Sequence, residues 1–170
     1  MGRRITNIRE RGQLAEHVGD FNIGVELGVA RGDFSVDMLR GASWAEWYAV
    51  DRWADHHDEE EFGIASKRIM EFGCARVLRM TFADAAPEFA DGYFDFVYVD
   101  GYAHTGQDEG RTLRDWFAKV KAGGVFAGHD YCRRCWPQTV EVVDAFFGSL
   151  GLEVHVVGQD DTYPSWMVIV

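Results

Sequence analysis

One stretch of this chain, Val25-Glu26-Leu27-Gly28-Val29-Ala30-Arg31-Gly32, restricts the fold more than any other. An apolar run leads into it from Ile23, and an amphipathic segment follows from Asp33 to Leu39. This order predicts a β-strand, a glycine turn and an α-helix. The two glycines keep side chains away from the turn, and the helix points its first free N–H groups at it. The stretch therefore predicts a ligand-binding loop in an α/β protein.

An acid precedes the first glycine of this loop. Glu26 stands at the carboxyl end of the predicted strand, where open α/β sheets bind ligands. The dinucleotide fingerprint Gly-x-Gly-x-x-Gly is not met, because position 30 is Ala and position 33 is Asp. A carboxylate here repels a pyrophosphate and suits a ligand with a cationic amine. An ordinary strand-to-helix turn is the alternative for so short a motif.

Length and charge narrow the class of protein. The chain has 170 residues, which predicts one domain over residues 1–170 with a leading helical region at 1–20. The formal net charge of −11 argues against a nucleic-acid or anionic-membrane partner, since phosphates require Lys and Arg. Three cysteines make no disulfide framework, and no apolar run approaches the roughly 18 residues of a membrane span. We expect a cytoplasmic protein that binds a small neutral or cationic molecule.

Predicted strands and helices alternate along most of the chain. Apolar patterns predict strands at 23–27, 47–50, 76–80, 94–99, 125–127, 152–157 and 166–170, and helices at 8–18, 33–39, 57–72, 105–121 and 139–150. A helix follows four of the first five strands, and the last two strands have no helix between them. This order predicts a mostly parallel sheet that ends in an antiparallel hairpin.

Acids follow several of these strands directly. Asp51 follows the second strand, Asp100 the fourth and Asp130 the fifth. Parallel strands have their carboxyl ends at one edge, so we expect these acids to gather around the glycine loop. Asp51 comes about 20 residues after the glycines, which is the spacing of an acid that binds ribose hydroxyls. A carboxylate is costly to bury unless it is paired or bound to metal, so Asp100 and Asp130 indicate a site.

These motifs resemble the class I S-adenosylmethionine-dependent methyltransferases over roughly residues 24–170. Glu26-Leu27-Gly28 through Gly32 is similar to the family's first motif, whose backbone holds the methionine part of S-adenosylmethionine. The resemblance implies that Asp51 binds the ribose and Asp84 lies near the adenine, although a helix N-cap would give Asp84 the same place. It also implies a Rossmann-like, seven-stranded, mostly parallel sheet with the last strand antiparallel and helices on both faces.

A narrower resemblance is to a subgroup that includes sugar and macrolide O-methyltransferases. It rests on four segments: Val99-Asp100-Gly101-Tyr102-Ala103-His104, Leu113-x-x-Trp116, Lys121-Ala122-Gly123-Gly124-Val125 and Gly128-His129-Asp130-Tyr131. In metal-dependent members, acids after the fourth and fifth strands bind magnesium and a nearby histidine is the candidate base. By position, the resemblance implies Asp100 and Asp130 as catalytic-site metal ligands and His104 as the base.

This chain departs from that subgroup at two positions, so the sequence does not decide whether a metal ion or a histidine activates the substrate hydroxyl. Ala103 lengthens the usual Asp-Gly-x-His spacing, and His129 stands where relatives have an acid. Magnesium prefers oxygen ligands, so a nitrogen at 129 favours manganese, iron or zinc if it binds the metal. The expected reaction is transfer of a methyl group from S-adenosylmethionine to a small-molecule hydroxyl. Either magnesium or manganese activates that hydroxyl, or His104 or His129 removes its proton.

Alternatives of other classes are a non-catalytic cofactor-binding module and a nucleotide-binding Rossmann protein. Glu26 and the missing third glycine argue against the nucleotide-binding protein. The chain leaves little room for a substrate-capping domain, so a homo-oligomer whose second subunit closes the pocket is a further expectation. The segment Cys132-Arg133-Arg134-Cys135 has metal-ligand spacing, but one such pair without a second is seldom a zinc site.

Overall fold

An eight-stranded sheet forms the centre of the computed structural model, which describes residues 3–4, 7–20, 22–54, 57–101 and 108–170. The strands are β1 (Arg3–Arg4), β2 (Asn22–Leu27), β3 (Trp44–Asp51), β4 (Ala75–Arg79), β5 (Phe94–Val99), β6 (Val120–Gly128), β7 (His155–Val157) and β8 (Ser165–Ile169). Their order across the sheet is β1-β7-β8-β6-β5-β2-β3-β4. Neighbouring strands are parallel except where β8 pairs with β6 and β7.

The predicted seven-stranded fold is confirmed in strands β2 to β8. The last strand, β8, is antiparallel as the family resemblance implies, and it lies between β6 and β7. The two-residue β1 is an addition that the sequence did not predict, and it pairs Arg3 with His155 of β7 at the sheet edge. Two residues are too few to give a hydrophobic period, so this strand had no signal.

In the described part of the chain, three helices cover each face of the sheet. They are α1 (Leu14–Val18), α2 (Asp33–Gly41), α3 (Glu59–Ile69), α4 (Phe82–Ala85), α5 (Arg111–Phe117) and α6 (Pro137–Ser149), with 3₁₀ turns at Arg11–Gln13 and Ala86–Glu88. Apolar residues of α1, α2 and α3 form one buried cluster with one face of the sheet, and those of α4, α5 and α6 form a second cluster with the other. No helix in the described ranges has the length and apolar character of a membrane span.

The predicted helix at 105–121 is wrong at its carboxyl end. Helix α5 ends at Phe117, and the backbone N–H of Lys119 donates to the carbonyl of Trp116 in a closing turn. Val120 continues the helical apolar spacing, yet it pairs with Phe94 and belongs to β6. Burial in the adjoining strand therefore explains its apolar character. Positions 105–107 of the predicted helix lie outside the described residues.

The sheet aligns the residues that follow β2, β5 and β6. The N–H of Gly28 donates to Val50, that of Asp100 to Leu27, and that of His129 to Val99, over 2.9, 2.7 and 2.9 Å. These bonds continue the parallel ladders one residue beyond the strands. Because β2 pairs with β3 on one side and β5 on the other, the strand order reverses here and leaves a crevice at the carboxyl edge.

Candidate active site

The glycine loop after β2 depends on a close approach of two backbones. Gly28 has φ +96°, and a Cβ atom built there would lie 2.1 Å from the carbonyl oxygen of Asp100. Gly32 has φ +80° and caps the N-terminus of α2. A side chain at position 28 is thus excluded by both the backbone conformation and the neighbouring strand end.

Asp51 holds the glycine loop through its carboxylate. Its Oδ2 atom accepts hydrogen bonds from the N–H groups of Val29 at 2.8 Å and Ala30 at 3.1 Å. Its Oδ1 atom accepts from the N–H of Trp53 at 3.1 Å. With 6% of its surface exposed, Asp51 satisfies three backbone donors and fixes the loop between β2 and α2.

Glu26 lies buried beneath the loop, with 1% of its surface exposed. The hydroxyl of Ser35 donates to it, and the Ser35 oxygen accepts from Nε1 of Trp47 at 2.8 Å. Burial raises the pKa of Glu26 well above its ordinary value, and the hydrogen bond from Ser35 only partly opposes this shift. A cationic group placed against Glu26 would favour its ionised form. The sequence analysis missed Ser35, which only its place in the first turn of α2 could have suggested.

A cavity of about 460 Å³ opens beside the glycine loop. Its lining comes from the turns after β2, β3, β4 and β5 and from α5, and it includes Gly28, Asp51, His57, Thr81, Phe82, Asp100, Arg111 and Trp116. The aromatic rings and the carboxylates give it both apolar and hydrogen-bonding walls. The sequence analysis did not identify the contributions from Phe82 and Arg111.

Asp84 lies in the first turn of α4 and is not part of that lining. The oxygen of Thr81 accepts from the backbone N–H of Asp84 at 3.1 Å, and the Thr81 hydroxyl donates to Oδ2 of Asp84 at 2.6 Å. Thr81 is therefore the N-cap of α4, and Asp84, which the alternative took for the N-cap itself, bonds to Thr81 from the first turn. The place of Asp84 near the adenine stays a prediction.

Asp100, His129 and Asp130 come together at the carboxyl ends of β5 and β6. Nδ1 of His129 lies 3.2 Å from Oδ1 of Asp100 and 3.2 Å from Oδ1 of Asp130. One ligand atom from each of the three residues lies within 4.8 Å of the others. Asp130 has φ +59°, an uncommon conformation that turns the chain directly after His129.

The charges in this cluster shift one another. Burial tends to raise the pKa of Asp100, but the hydrogen bond and charge of His129, with Arg11, lower it below its ordinary value. Burial also tends to lower the pKa of His129, which its hydrogen bond to Asp100 and the charge of that acid raise instead. For Asp130, burial raises the pKa to about 6. Asp100 therefore favours the protonated form of His129, and His129 favours the ionised form of Asp100.

Arg11 adds a cation that the sequence analysis did not identify. Its Nη1 atom lies 2.5 Å from Oδ2 of Asp100, and its guanidinium lies 5.3 Å from the ring centre of Phe34. The two acids Asp100 and Asp130 therefore share the cluster with two basic groups, Arg11 and His129. No motif in the N-terminal segment signals this contact.

Two further candidates from the sequence are His104 and the pair Cys132 and Cys135. His104 lies outside the described residues. Cys132 and Cys135 are joined by a turn in which the N–H of Cys135 donates to the Cys132 carbonyl at 3.1 Å. Across the ranges that the structure describes, neither cysteine belongs to a group of three metal-ligating side chains.

The part of the chain that carries this site matches a known family. The family model described as "Methyltransferase domain" matches residues 25–131, which include the glycine loop, Asp51, Asp100, His129 and Asp130. The chain belongs to this methyltransferase family. With its fold, it is a class I S-adenosylmethionine-dependent methyltransferase, and the nucleotide-binding and non-catalytic alternatives are set aside.

Solved structures share the methyltransferase fold at low sequence identity. Cofactor-bound Rv0187 from MTB is 15% identical, with a TM-score of 0.73 over 94% of this chain and 79% of that chain. The O-methyltransferase from Bacillus cereus in complex with SAH is 15% identical, with a TM-score of 0.69 over the same shares. An rRNA methylase from Streptococcus thermophilus is 16% identical, with a TM-score of 0.63 over 94% of this chain and 92% of that chain. No curated protein matches the sequence.

Proposed function

We propose that this methyltransferase transfers the methyl group of S-adenosylmethionine to a hydroxyl group of a small molecule. The observation that carries the proposal is the cluster of His129 with Asp100 and Asp130 beside the glycine loop. The hydroxyl oxygen attacks the sulfonium methyl in line, and the positive charge on sulfur is lost as the methyl moves. Such a reaction needs close positioning, worth on the order of 7–11 kcal/mol, and a more nucleophilic oxygen.

We place the cofactor in the cavities around the glycine loop, whose lining supports this assignment. We assign the adenosine part to the cavity of about 460 Å³, where Asp51 lies in reach of ribose hydroxyls and Phe82 and Trp116 offer apolar rings to the adenine. Gly28 and Gly32 keep the loop backbone accessible, and Glu26 supplies the negative charge that suits the ammonium group of the methionine part. We also keep the prediction that Asp84, in the first turn of α4, lies near the adenine.

His129 is our candidate for the general base. Its Nδ1 atom faces the acids, so an N–H there donates to Asp100 and leaves Nε2 to take the proton of the hydroxyl. Asp100 orients the imidazole and stabilises its charged form after the proton transfer. A positioned histidine base contributes about 10²- to 10⁴-fold to a rate. His104 remains the second candidate for the same role.

The same three side chains also fit a divalent metal ion. Two carboxylates and one imidazole within 4.8 Å make a donor set that suits manganese better than magnesium. Asp100, His129 and Asp130 would hold the ion, which would lower the pKa of a bound substrate hydroxyl. The charge argument for a metal is weaker than the sequence implied, because Arg11 and His129 already face the two acids. We therefore favour the histidine base.

The acidic surface supports a small substrate. A net charge of −11 opposes binding of a polyanion such as RNA, although the fold also occurs in an rRNA methylase. A single methyltransferase domain over residues 1–170 and a homo-oligomer that closes the pocket remain parts of the proposal.

Two experiments test the proposed function. Thermal shift should show stabilisation by S-adenosylhomocysteine (SAH), about 2.7 kcal/mol at 100 times its dissociation constant, and none by NAD. SAH release should then be measured with catechol, glycoside, primary-amine and RNA acceptors. Turnover with a hydroxyl acceptor is expected, and transfer confined to amines or RNA would contradict the proposal.

A further inference from the structure

A second cavity lies against the glycine loop, where acidic side chains and a guanidinium occur together. It has about 230 Å³, and its lining includes Arg11, Glu26, Gly28, Val29 and Asp100. Gly28 and Asp100 also line the larger cavity, so the two spaces meet at the end of β2. A ligand that lies across the end of β2 would place one part in the larger cavity and another part in the smaller one.

The backbone fixes Arg11 at this cavity. Its N–H donates to Oδ2 of Asp161 at 2.9 Å. Directly before it, the carbonyls of Ile8 and Arg9 accept from the N–H groups of Gly158 and Asp160, both at 2.9 Å. These hydrogen bonds hold the segment 8–11 against the turn between β7 and β8. The backbone of Arg11 is therefore fixed where its side chain enters the site.

The loop itself has few donors left for an anion. The N–H groups of Val29 and Ala30 both donate to Asp51, and the N–H of Gly32 donates to the carbonyl of Val29. The donors that remain for a carboxylate in the smaller cavity are the first N–H groups of α2 and the side chains that line the cavity. Arg11 is half-buried there and carries five N–H donors, of which Asp100 and Tyr98 accept some.

We propose that Arg11 binds the carboxylate of the cofactor's methionine part, while Glu26 faces its ammonium group. The inference rests on the proposed function, because it takes S-adenosylmethionine as the ligand. An α-amino acid group carries one positive and one negative charge, and this cavity offers a partner for each. A guanidinium recognises a carboxylate through paired N–H donors, which gives direction as well as charge. Arg11 lies outside the residues 25–131 that define the family match.

The test compares two ligands that differ only in this carboxylate. Calorimetry should measure binding of SAH and of decarboxylated SAH to the wild type, to Arg11→Gln and to the control Arg9→Gln. Arg9 lies on the same segment, but it is exposed and pairs with Asp160 at the surface. The wild type should bind SAH about 10- to 100-fold more tightly than the decarboxylated ligand, as expected for a charged hydrogen bond.

In Arg11→Gln this preference should shrink to less than threefold, with affinity for decarboxylated SAH nearly unchanged. Arg9→Gln should keep the full preference. Should Arg11→Gln fail to fold by circular dichroism, Arg11→Lys carries the comparison and should lose part of the preference, since an ammonium binds a carboxylate at one point.

Three results would overturn the inference. The first is equal affinity of the wild type for the two ligands, and the second is equal weakening of both in the Arg11 variant. The third is loss of the preference in Arg31→Gln instead, since Arg31 also lines this cavity. Absence of any SAH binding by the wild type would overturn the proposed function as well, which separates the two failures.

Discussion

Oδ2 of Asp51 accepts a hydrogen bond of 2.8 Å from the backbone N–H of Val29, so the end of β3 holds the loop that follows β2. The acid that the sequence assigns to the ribose thus has a second task. It fixes the loop that must stay open for the rest of the cofactor. The proposed contact with the ribose would therefore couple cofactor binding to local order at this one side chain.

Replacing Asp51 should affect both properties. Asp51→Ala leaves the N–H groups of Val29, Ala30 and Trp53 without their acceptor, and each buried donor left unpaired costs about 1–3 kcal/mol. We expect a lower melting temperature and SAH binding weakened by more than tenfold. Asp51→Asn keeps one acceptor oxygen, so its loss of stability should be smaller. Unchanged SAH affinity of Asp51→Ala by calorimetry would show that this acid does not contact the cofactor.

Gly28 should tolerate no side chain, even one methyl group. In Gly28→Ala the new Cβ would meet the Asp100 carbonyl at 2.1 Å, so β2 and β5 must separate at their ends. The control is Gly123→Ala, at φ +81° with nothing within 4 Å of the new Cβ, which costs only the backbone strain of about 1–2 kcal/mol. Urea unfolding should show a clearly larger loss for Gly28→Ala. Equal losses would mean that strain alone explains this glycine.

The strand ends were predictable because their signals are local. An apolar run followed by an acid marks where β3 and β5 end, and parallel pairing brings such ends together. The sequence therefore placed Asp51, Asp100 and Asp130 at one edge, and the structure shows that arrangement. Their roles toward ligands are still untested.

The contacts that complete the site join distant positions. Arg11 and Asp100 are separated by 89 positions, and nothing in the sequence around Arg11 marks it as different from the neighbouring arginines. Ser35 and its bond to Glu26 also depend on how α2 packs on the sheet. The expectation from the sequence that Asp100 and Asp130 are costly to bury unless they are paired or bound to metal considered only the acids. It had no means of including the guanidinium that faces one of them.

Asp130→Asn should stabilise the protein at neutral pH. Burial raises the pKa of Asp130 to about 6, so the folded protein holds this proton more strongly than the unfolded chain. The contribution of Asp130 to stability therefore falls as pH rises from about 4 to about 6, and the cost persists above that range. Asparagine removes the charge and tolerates φ +59°.

Melting temperatures of Asp130→Asn and the wild type should be compared between pH 4 and 8. The variant should melt higher at pH 7, and the difference should disappear near pH 4. A variant that melts lower at every pH would indicate that the contact with His129 matters more than the charge.

Turnover of the metal-free enzyme should report the ionisation of His129. The base must be neutral to accept a proton, and Asp100 raises the pKa of His129 above its ordinary 6.5. In protein stripped by a chelator, kcat/KM with a hydroxyl acceptor should therefore rise with pH through a pKa above 6.5. In Asp100→Asn that pKa should fall, because the favourable charge is gone while an acceptor oxygen remains. His129→Gln should lose most of the turnover and the pH step together.

Metal analysis decides between this base and an ion held by the same residues. Excess chelator should leave turnover of the wild type unchanged, with no metal found by elemental analysis. Lost turnover that returns with manganese, and returns less with magnesium, would make Asp100, His129 and Asp130 metal ligands and would contradict the histidine base. A pH step that survives in His129→Gln would instead assign the base elsewhere, and His104→Gln would then be the next variant to measure.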